Sequence, residues 1–262
     1  MTLSAAARRT MRRAAISGTA KGVRWTNMNR RIWKPSRGVA VLLLHNTLGR
    51  QVTDILSHID AHRELYCDYK AVENLGSAPA TSQIALSFDD GFHSNLAMAR
   101  ELHSRGIQAC FYVPTNIIGA DQARVDSFFR RPQIEGVLDW RELEEIASMG
   151  HIIGSHCRDH RPLIDQPDAQ AEDQIKGSLA VLRDTFGDAK HFAWPFGALR
   201  YADADKVVRW CREVDAIPAS GVRGFNETQR FEQEGYLRRD AADPRWIADD
   251  IDAFLIRDAL RS

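Results

Sequence analysis

The feature that most restricts how this chain can fold is the run Val39–Leu44, six consecutive apolar residues followed by His45 and Asn46. A strand with one wet face alternates apolar and polar positions. An unbroken apolar run of this length suits a strand covered on both faces, as in a parallel sheet flanked by helices. Further strand patterns follow in "SQIALSFDDG" (Ser82–Gly91), "IQACFYVP" (Ile107–Pro114), "HIIGSH" (His151–His156), "KHFAWPFG" (Lys190–Gly197) and a stretch near 214–218.

Helical patterns lie between them. Ser94 reads as the N-cap of a helix carrying Leu96, Ala99, Leu102 and His103. Asp139 caps another, with Glu142 three residues on and Gly150 closing it. A third runs over 168–186 through Ile175, Leu179, Leu182 and Phe186, and others are expected near 203–212 and 245–260. Strands alternating with helices imply parallel strands joined by helical crossovers. Six to seven such units over about 220 residues approach the size of a barrel. The class read from the sequence is α/β.

The 262 residues are 44% hydrophobic and 27% charged, an ordinary globular composition, with 35 basic and 35 acidic side chains. That balance argues against a nucleic-acid partner. It hides an asymmetry, because the first acidic residue is Asp54 and residues 1–53 hold eleven Lys and Arg. We read 1–37 as a basic arm and 38–262 as one domain. The arm suits contact with an anionic membrane surface, packing on the acidic body, or simple solvation. No apolar run approaches the ~20 residues of a membrane span, and no secretory signal is evident, so the expected location is cytoplasmic, with peripheral contact at the inner membrane face. Cys67, Cys110, Cys157 and Cys211 form no C-x-x-C pair and read as free thiols.

The polar residues with chemical potential fall where strands end, which is where parallel βα folds build sites. Two adjacent carboxylates, Asp89 and Asp90, end the second strand pattern; side chains alternate along a strand, so one can ligate a metal while the other stays free as a base. His156 and His160 have the H-x3-H spacing that lets two imidazoles converge on a divalent cation. "FAWPFG" (Phe192–Gly197) supplies an aromatic turn with backbone N–H groups suited to a developing oxyanion. One carboxylate and two imidazoles leave metal positions open, the arrangement of a hydrolytic site. His93 reads as a rim residue, Cys157 as a small buried side chain facing away from the metal, and His151 and His191 as structural.

"LSFDDGFHSN", "GSHCRDH" and "FAWPFG", in that order, resemble the main motifs of the polysaccharide deacetylase family, the NodB-homology group or carbohydrate esterase family 4. The likeness runs from about Val39 to Pro218, some two-thirds of the chain, and includes "GIQACFYVPTNIIG" and "LDWRELEEIASMGHIIGSH". It implies a distorted, incomplete (β/α) barrel and a metal-dependent carbohydrate N-deacetylase. Asp89 then matches the catalytic base, Asp90, His156 and His160 the metal ligands, and Phe196 the oxyanion-binding backbone, with Trp194, Pro195 and Gly197 completing that wall. Family members use zinc; the mixed carboxylate–imidazole set also suits cobalt, nickel or iron.

Two departures narrow the likeness. The arginine that many members carry before the motif-three proline is absent from "HFAW", and no histidine follows His191. In the exopolysaccharide branch the acid resembles a histidine ending the first strand, which is His45 here. "YLRRD" is similar to that branch's late arginine segment, making Arg239 a candidate for the substrate-binding set. The implied reaction removes an N-acetyl group from a sugar of an O-antigen, capsule or exopolysaccharide precursor. Alternatives are a deformylase or other non-peptide amide hydrolase using the same site, or a catalytically silent glycan-binding member.

Overall fold

A computed structural model of the chain describes residues 38–77 and 83–241. The basic arm and the helix expected near 245–260 lie outside the described residues. Strands β1 (Val39–Leu44), β2 (Gln83–Phe88), β3 (Cys110–Val113), β4 (Ile152–Ser155), β5 (His191–Ala193), β6 (Ile217–Ala219) and β7 (Asp240–Ala241) form one sheet in the order β6-β5-β4-β3-β2-β1-β7. Every pairing is parallel, and the sheet curls into an α/β incomplete barrel.

The helices are α1 (Arg50–Ala61), α2 (Ser94–Ser104), α3 (Gln122–Phe129), α4 (Trp140–Ser148), α5 (Asp168–Phe186), α6 (Ala204–Arg212) and α7 (Thr228–Glu234). The expected capping box at Asp139 and Glu142 is present on α4. Ser94 does not cap α2: His93 takes the N-cap position, and the Ser94 hydroxyl instead donates to Glu135 and accepts from the Thr47 N–H. That ties the loop after β1 and the connection between α3 and α4 to the start of α2.

The period-2 alternation of the strands sorts their side chains. Leu42, Leu44, Leu86, Phe88, Phe111 and Val113 point outward and are covered by Ile55 and Ile59 of α1, Met98 and Leu102 of α2, and Leu143 and Ile146 of α4. Val39, Val41, Ala85, Cys110, Tyr112, Ala193 and Ala219 point into the lumen, where Tyr69, Val72 and Leu75 fill the space. A third cluster packs Phe192 and Trp194 under Ile175, Leu179, Val207 and Trp210.

The last described segment spans the gap between the sheet's two sides. Leu237 exchanges backbone hydrogen bonds with Pro218 and Ser220 beside β6, while Asp240 and Ala241 pair with Leu42 and Leu43 of β1. Arg239 therefore sits on a short bridge between the ends of β6 and β1. No helix among the described residues is long and apolar enough to cross a membrane.

Candidate active site

All the expected polar residues gather at the C-terminal ends of the strands. Leu44 pairs with Phe88, and the Asp89 N–H donates to the Leu44 carbonyl at 2.8 Å, so His45 and Asp89 leave neighbouring strands side by side. Asp89 continues the lumen-facing set of Ala85 and Ser87. Asp90 departs from strand geometry at φ 73°, which turns its carboxylate away from that of Asp89. His156 follows β4, and the 157–160 turn brings His160 back so that the two imidazole centroids lie 5.0 Å apart.

Asp90 Oδ1 lies 3.1 Å from His160 Nε2 and 3.7 Å from His156 Nε2. Ligand atoms of the three side chains all fall within 4.8 Å of one another. Asp90 Oδ1 is buried and has no hydrogen-bond partner of good geometry. A buried carboxylate oxygen without such a partner is costly unless a cation completes it. His156 Nδ1 donates to the Ala193 carbonyl at 2.7 Å, which fixes the tautomer and leaves Nε2 as a lone-pair donor. The donor set fits one divalent cation held by a carboxylate and two imidazoles with room for further ligands.

Electrostatics support this division. Burial pushes His156 down to about 4 despite the nearby carboxylates, so its imidazole is neutral, as a ligand must be. At His160 burial also opposes the charge, but the Asp90 carboxylate outweighs it and raises the pKa. Burial favours the neutral form of Asp90, yet the surrounding imidazoles hold it well below the usual carboxylate range. His45 is exposed, and its charge acts on both Asp89 and Asp90.

The turn that carries the histidines is held from outside. Gln174 on α5 accepts from the N–H groups of Arg158 and Asp159 at 3.0 and 2.9 Å, and donates to Asp159 at 2.8 Å. Backbone strain concentrates here: Asp90, Cys157, His160 and Phe196 all have φ between 49 and 73°. Non-glycine residues rarely adopt such angles, and they persist where surrounding contacts enforce them. Cys157 is fully buried in the cluster beneath α5 and does not join the ligand group. His93 sits at the rim against Glu142 at 3.2 Å. His151 is bonded to Ala99 and Ala109 and His191 to Glu73, as structural histidines.

Arg239, assigned from sequence to the substrate-binding set, instead has no exposed surface. Its guanidinium grips Asp89 with two bonds, Nη1 to Oδ1 at 2.6 Å and Nη2 to Oδ2 at 3.0 Å, and its Nε donates to the Ser220 carbonyl. Burial favours a neutral Asp89, but the charge and hydrogen bonds of Arg239 hold the carboxyl below its ordinary range, so it is an ionised acceptor. Trp194 is likewise fully buried and packs edge-on against Tyr236, so it supports the turn rather than lining the cleft. Pro195 is buried too, while Phe196 is 53% exposed. The bonds closing this turn are donated by Gly197, Ala198 and Gly221, which leaves the Phe196 N–H outside them. Gly197 is required: a Cβ there would lie 2.6 Å from the Gly221 Cα.

Sequence reasoning missed Gln174 and Tyr112. Gln174 could have been noticed as a polar residue on the apolar face of α5, one step from Ile175. Tyr112 lies in the lumen with its ring 4.7 Å from the Arg239 guanidinium and its hydroxyl 2.7 Å from that of Tyr69. A desolvated cation–π contact is worth about 2 kcal/mol. We expect Tyr112→Leu to lower kcat by roughly 10-fold, with metal content unchanged, and Tyr112→Phe to recover most of the loss because it keeps the ring. Steady-state kinetics on folded protein check this; equal kcat in all three forms would contradict it.

The chain thus presents an incomplete α/β barrel with a carboxylate–imidazole group that could hold a cation and a clamped second carboxylate at its strand ends. The polysaccharide deacetylase profile matches residues 76–210, and the chain belongs to the polysaccharide deacetylase family. Its fold resembles IcaB from Ammonifex degensii, at TM-score 0.67 and 16% identity, covering 84% of this chain and 97% of that one. It also resembles the Streptococcus pyogenes deacetylase PplD in complex with acetate, at TM-score 0.66 and 14% identity, covering 83% and 98%. The BpsB deacetylase domain from Bordetella bronchiseptica aligns at TM-score 0.59 and 19% identity, covering 78% and 96%. A search of curated proteins finds no match.

Proposed function

We propose that this protein is a metal-dependent N-deacetylase acting on an N-acetylated sugar of a surface-polysaccharide precursor. The observation that carries the reading is the pairing of two different carboxylates at one strand end: Asp90 grouped with His156 and His160, and Asp89 clamped by Arg239. Asp90, His156 and His160 would hold the cation, most simply zinc. A divalent cation at that point supplies Lewis-acid chemistry, polarising an amide carbonyl and making water a stronger acid. Asp89 accepts the proton of the attacking water, oriented by Arg239. The Phe196 N–H receives the oxyanion, and His45 protonates the leaving amine. Four free cysteines support a reducing, cytoplasmic location, where a polysaccharide precursor is the accessible substrate class.

The test is mass spectrometry of N-acetyl sugars incubated with the protein, with loss of an acetyl mass as the expected result. Absence of acetate release from every N-acetyl sugar offered would count against the reading and favour a silent glycan-binding member. The role of His45 has its own signature. His45→Ala should lower kcat on amides by roughly 10²–10⁴ with metal retained. Aryl acetates should suffer far less, because an aryloxide departs without protonation. Equal losses on both substrate types would remove His45 from the acid role.

A further inference from the structure

Two aromatic rings flank His160, and each has an arginine close by in sequence. On one side the Phe129 ring lies 5.4 Å from that of His160. Arg131 follows two residues later, is exposed, and its charge reaches His160. On the other side the Phe196 ring lies 4.9 Å from His160 and Tyr201 lies 5.0 Å beyond Phe196. Arg200 stacks on Tyr201 at 4.5 Å and donates to its hydroxyl at 3.1 Å. Arg161, the residue after His160, is exposed as well.

Among the described residues Arg131, Arg161 and Arg200 form no ion pair with a carboxylate, as Arg100, Arg105, Arg158 and Arg238 do, so their guanidinium groups keep their charge for another partner. Three acidic side chains on neighbouring loops are engaged by neutral donors: Asp126 by Gln122 and Gln133, Glu135 by Ser94, and Asp159 by Asn116 and Gln174. After residue 53 the chain carries 24 basic and 35 acidic residues, so a cationic rim runs against the average.

We propose that Arg131, Arg161 and Arg200 make this mouth a receptor for an anionic group, a phosphate or a carboxylate, borne close to the acetamido group of the substrate. The inference deepens the deacetylase reading and rests on it for the nature of the sugar. The guanidinium fork matches the oxygens of phosphate and carboxylate, and an unpaired one at a cleft rim gains most from such a partner. Phe129, Phe196 and Tyr201 offer flat apolar surface to the C–H face of a sugar ring. The anion has two chemical sources. One is the diphosphate that links a sugar to a nucleotide or lipid carrier, and the other is a uronic acid adjoining the N-acetylated residue.

Titration calorimetry on the full chain tests the inference by binding, without relying on turnover. Three probes are compared at low and high salt: UDP-N-acetylglucosamine, an N-acetylglucosamine–glucuronic acid oligosaccharide, and neutral chitotetraose. At least one charged probe should bind about 10-fold or more tightly than chitotetraose, and the advantage should shrink as salt rises. Preference for the nucleotide sugar assigns the phosphate source, and preference for the uronic oligosaccharide assigns the carboxylate. The double variant Arg131→Gln/Arg200→Gln should bring the favoured probe's Kd to the neutral value. Equal or tighter binding of chitotetraose, or an advantage that survives both high salt and the double variant, would overturn the proposal. Acetate release is measured in the same samples. Charge-selective binding without release would count against the deacetylase reading alone.

Discussion

Asp90→Ala should strip the protein of its metal and lower kcat/KM for deacetylation by about 10³-fold or more. Asp90 is the only carboxylate in the ligand group formed with His156 and His160 among the described residues, and its Oδ1 is buried with no hydrogen-bond partner of good geometry. Removing it takes the negative charge from the cation's side of the cleft while leaving two neutral donors. Metal content by elemental analysis and steady-state kinetics read the two effects separately. Alanine at φ 73° adds backbone strain. Asp90→Asn, whose side chain tolerates that region, is therefore the companion variant and should lose metal affinity with less cost in stability.

Asp89→Asn should give the opposite pattern, with metal retained and kcat lowered by roughly 10²–10⁴-fold. The amide keeps the size of the carboxylate and one acceptor for Arg239, but it cannot take a proton from water. Some stability is lost too, because removing the charged partner of a fully buried arginine costs about 3–5 kcal/mol when nothing replaces it. The retained acceptor reduces that figure. Thermal unfolding alongside metal analysis separates misfolding from a lost base. If Asp89→Asn lost metal as completely as Asp90→Ala, the roles of the two carboxylates would be reversed or shared.

The fold was legible because its strands are covered on both faces, and continuous apolar runs such as Val39–Leu44 have few alternatives. Caps with paired chemistry were legible as well, as at Asp139 and Glu142. Ser94 misled for a physical reason: its hydroxyl found partners in Glu135 and Thr47, 41 and 47 residues distant, and local capping lost to them. Asp89, Asp90, His156 and His160 stood out because each ends a strand or begins the turn after one. Arg239 was named through the likeness of "YLRRD" alone, and its contact with Asp89 was not legible, because it depends on the bridge from β6 to β1, a long-range event with no local pattern. Its bonding partner Asp89 is 150 residues away. Tyr112 was hidden for the same reason. Within its strand it reads as one more apolar residue, and only the closed lumen brings Arg239 against its ring.

The central claim is that a cation held by Asp90, His156 and His160 makes this chain a deacetylase. Its most direct test is acetate release from an N-acetyl sugar by the full chain as purified, after exhaustive chelation, and after restoring one equivalent of zinc, cobalt or nickel. The account predicts release that disappears with the metal and returns with at least one of these ions, at a stoichiometry of one per chain. Release that persists at full rate in chelated, metal-free protein would contradict it.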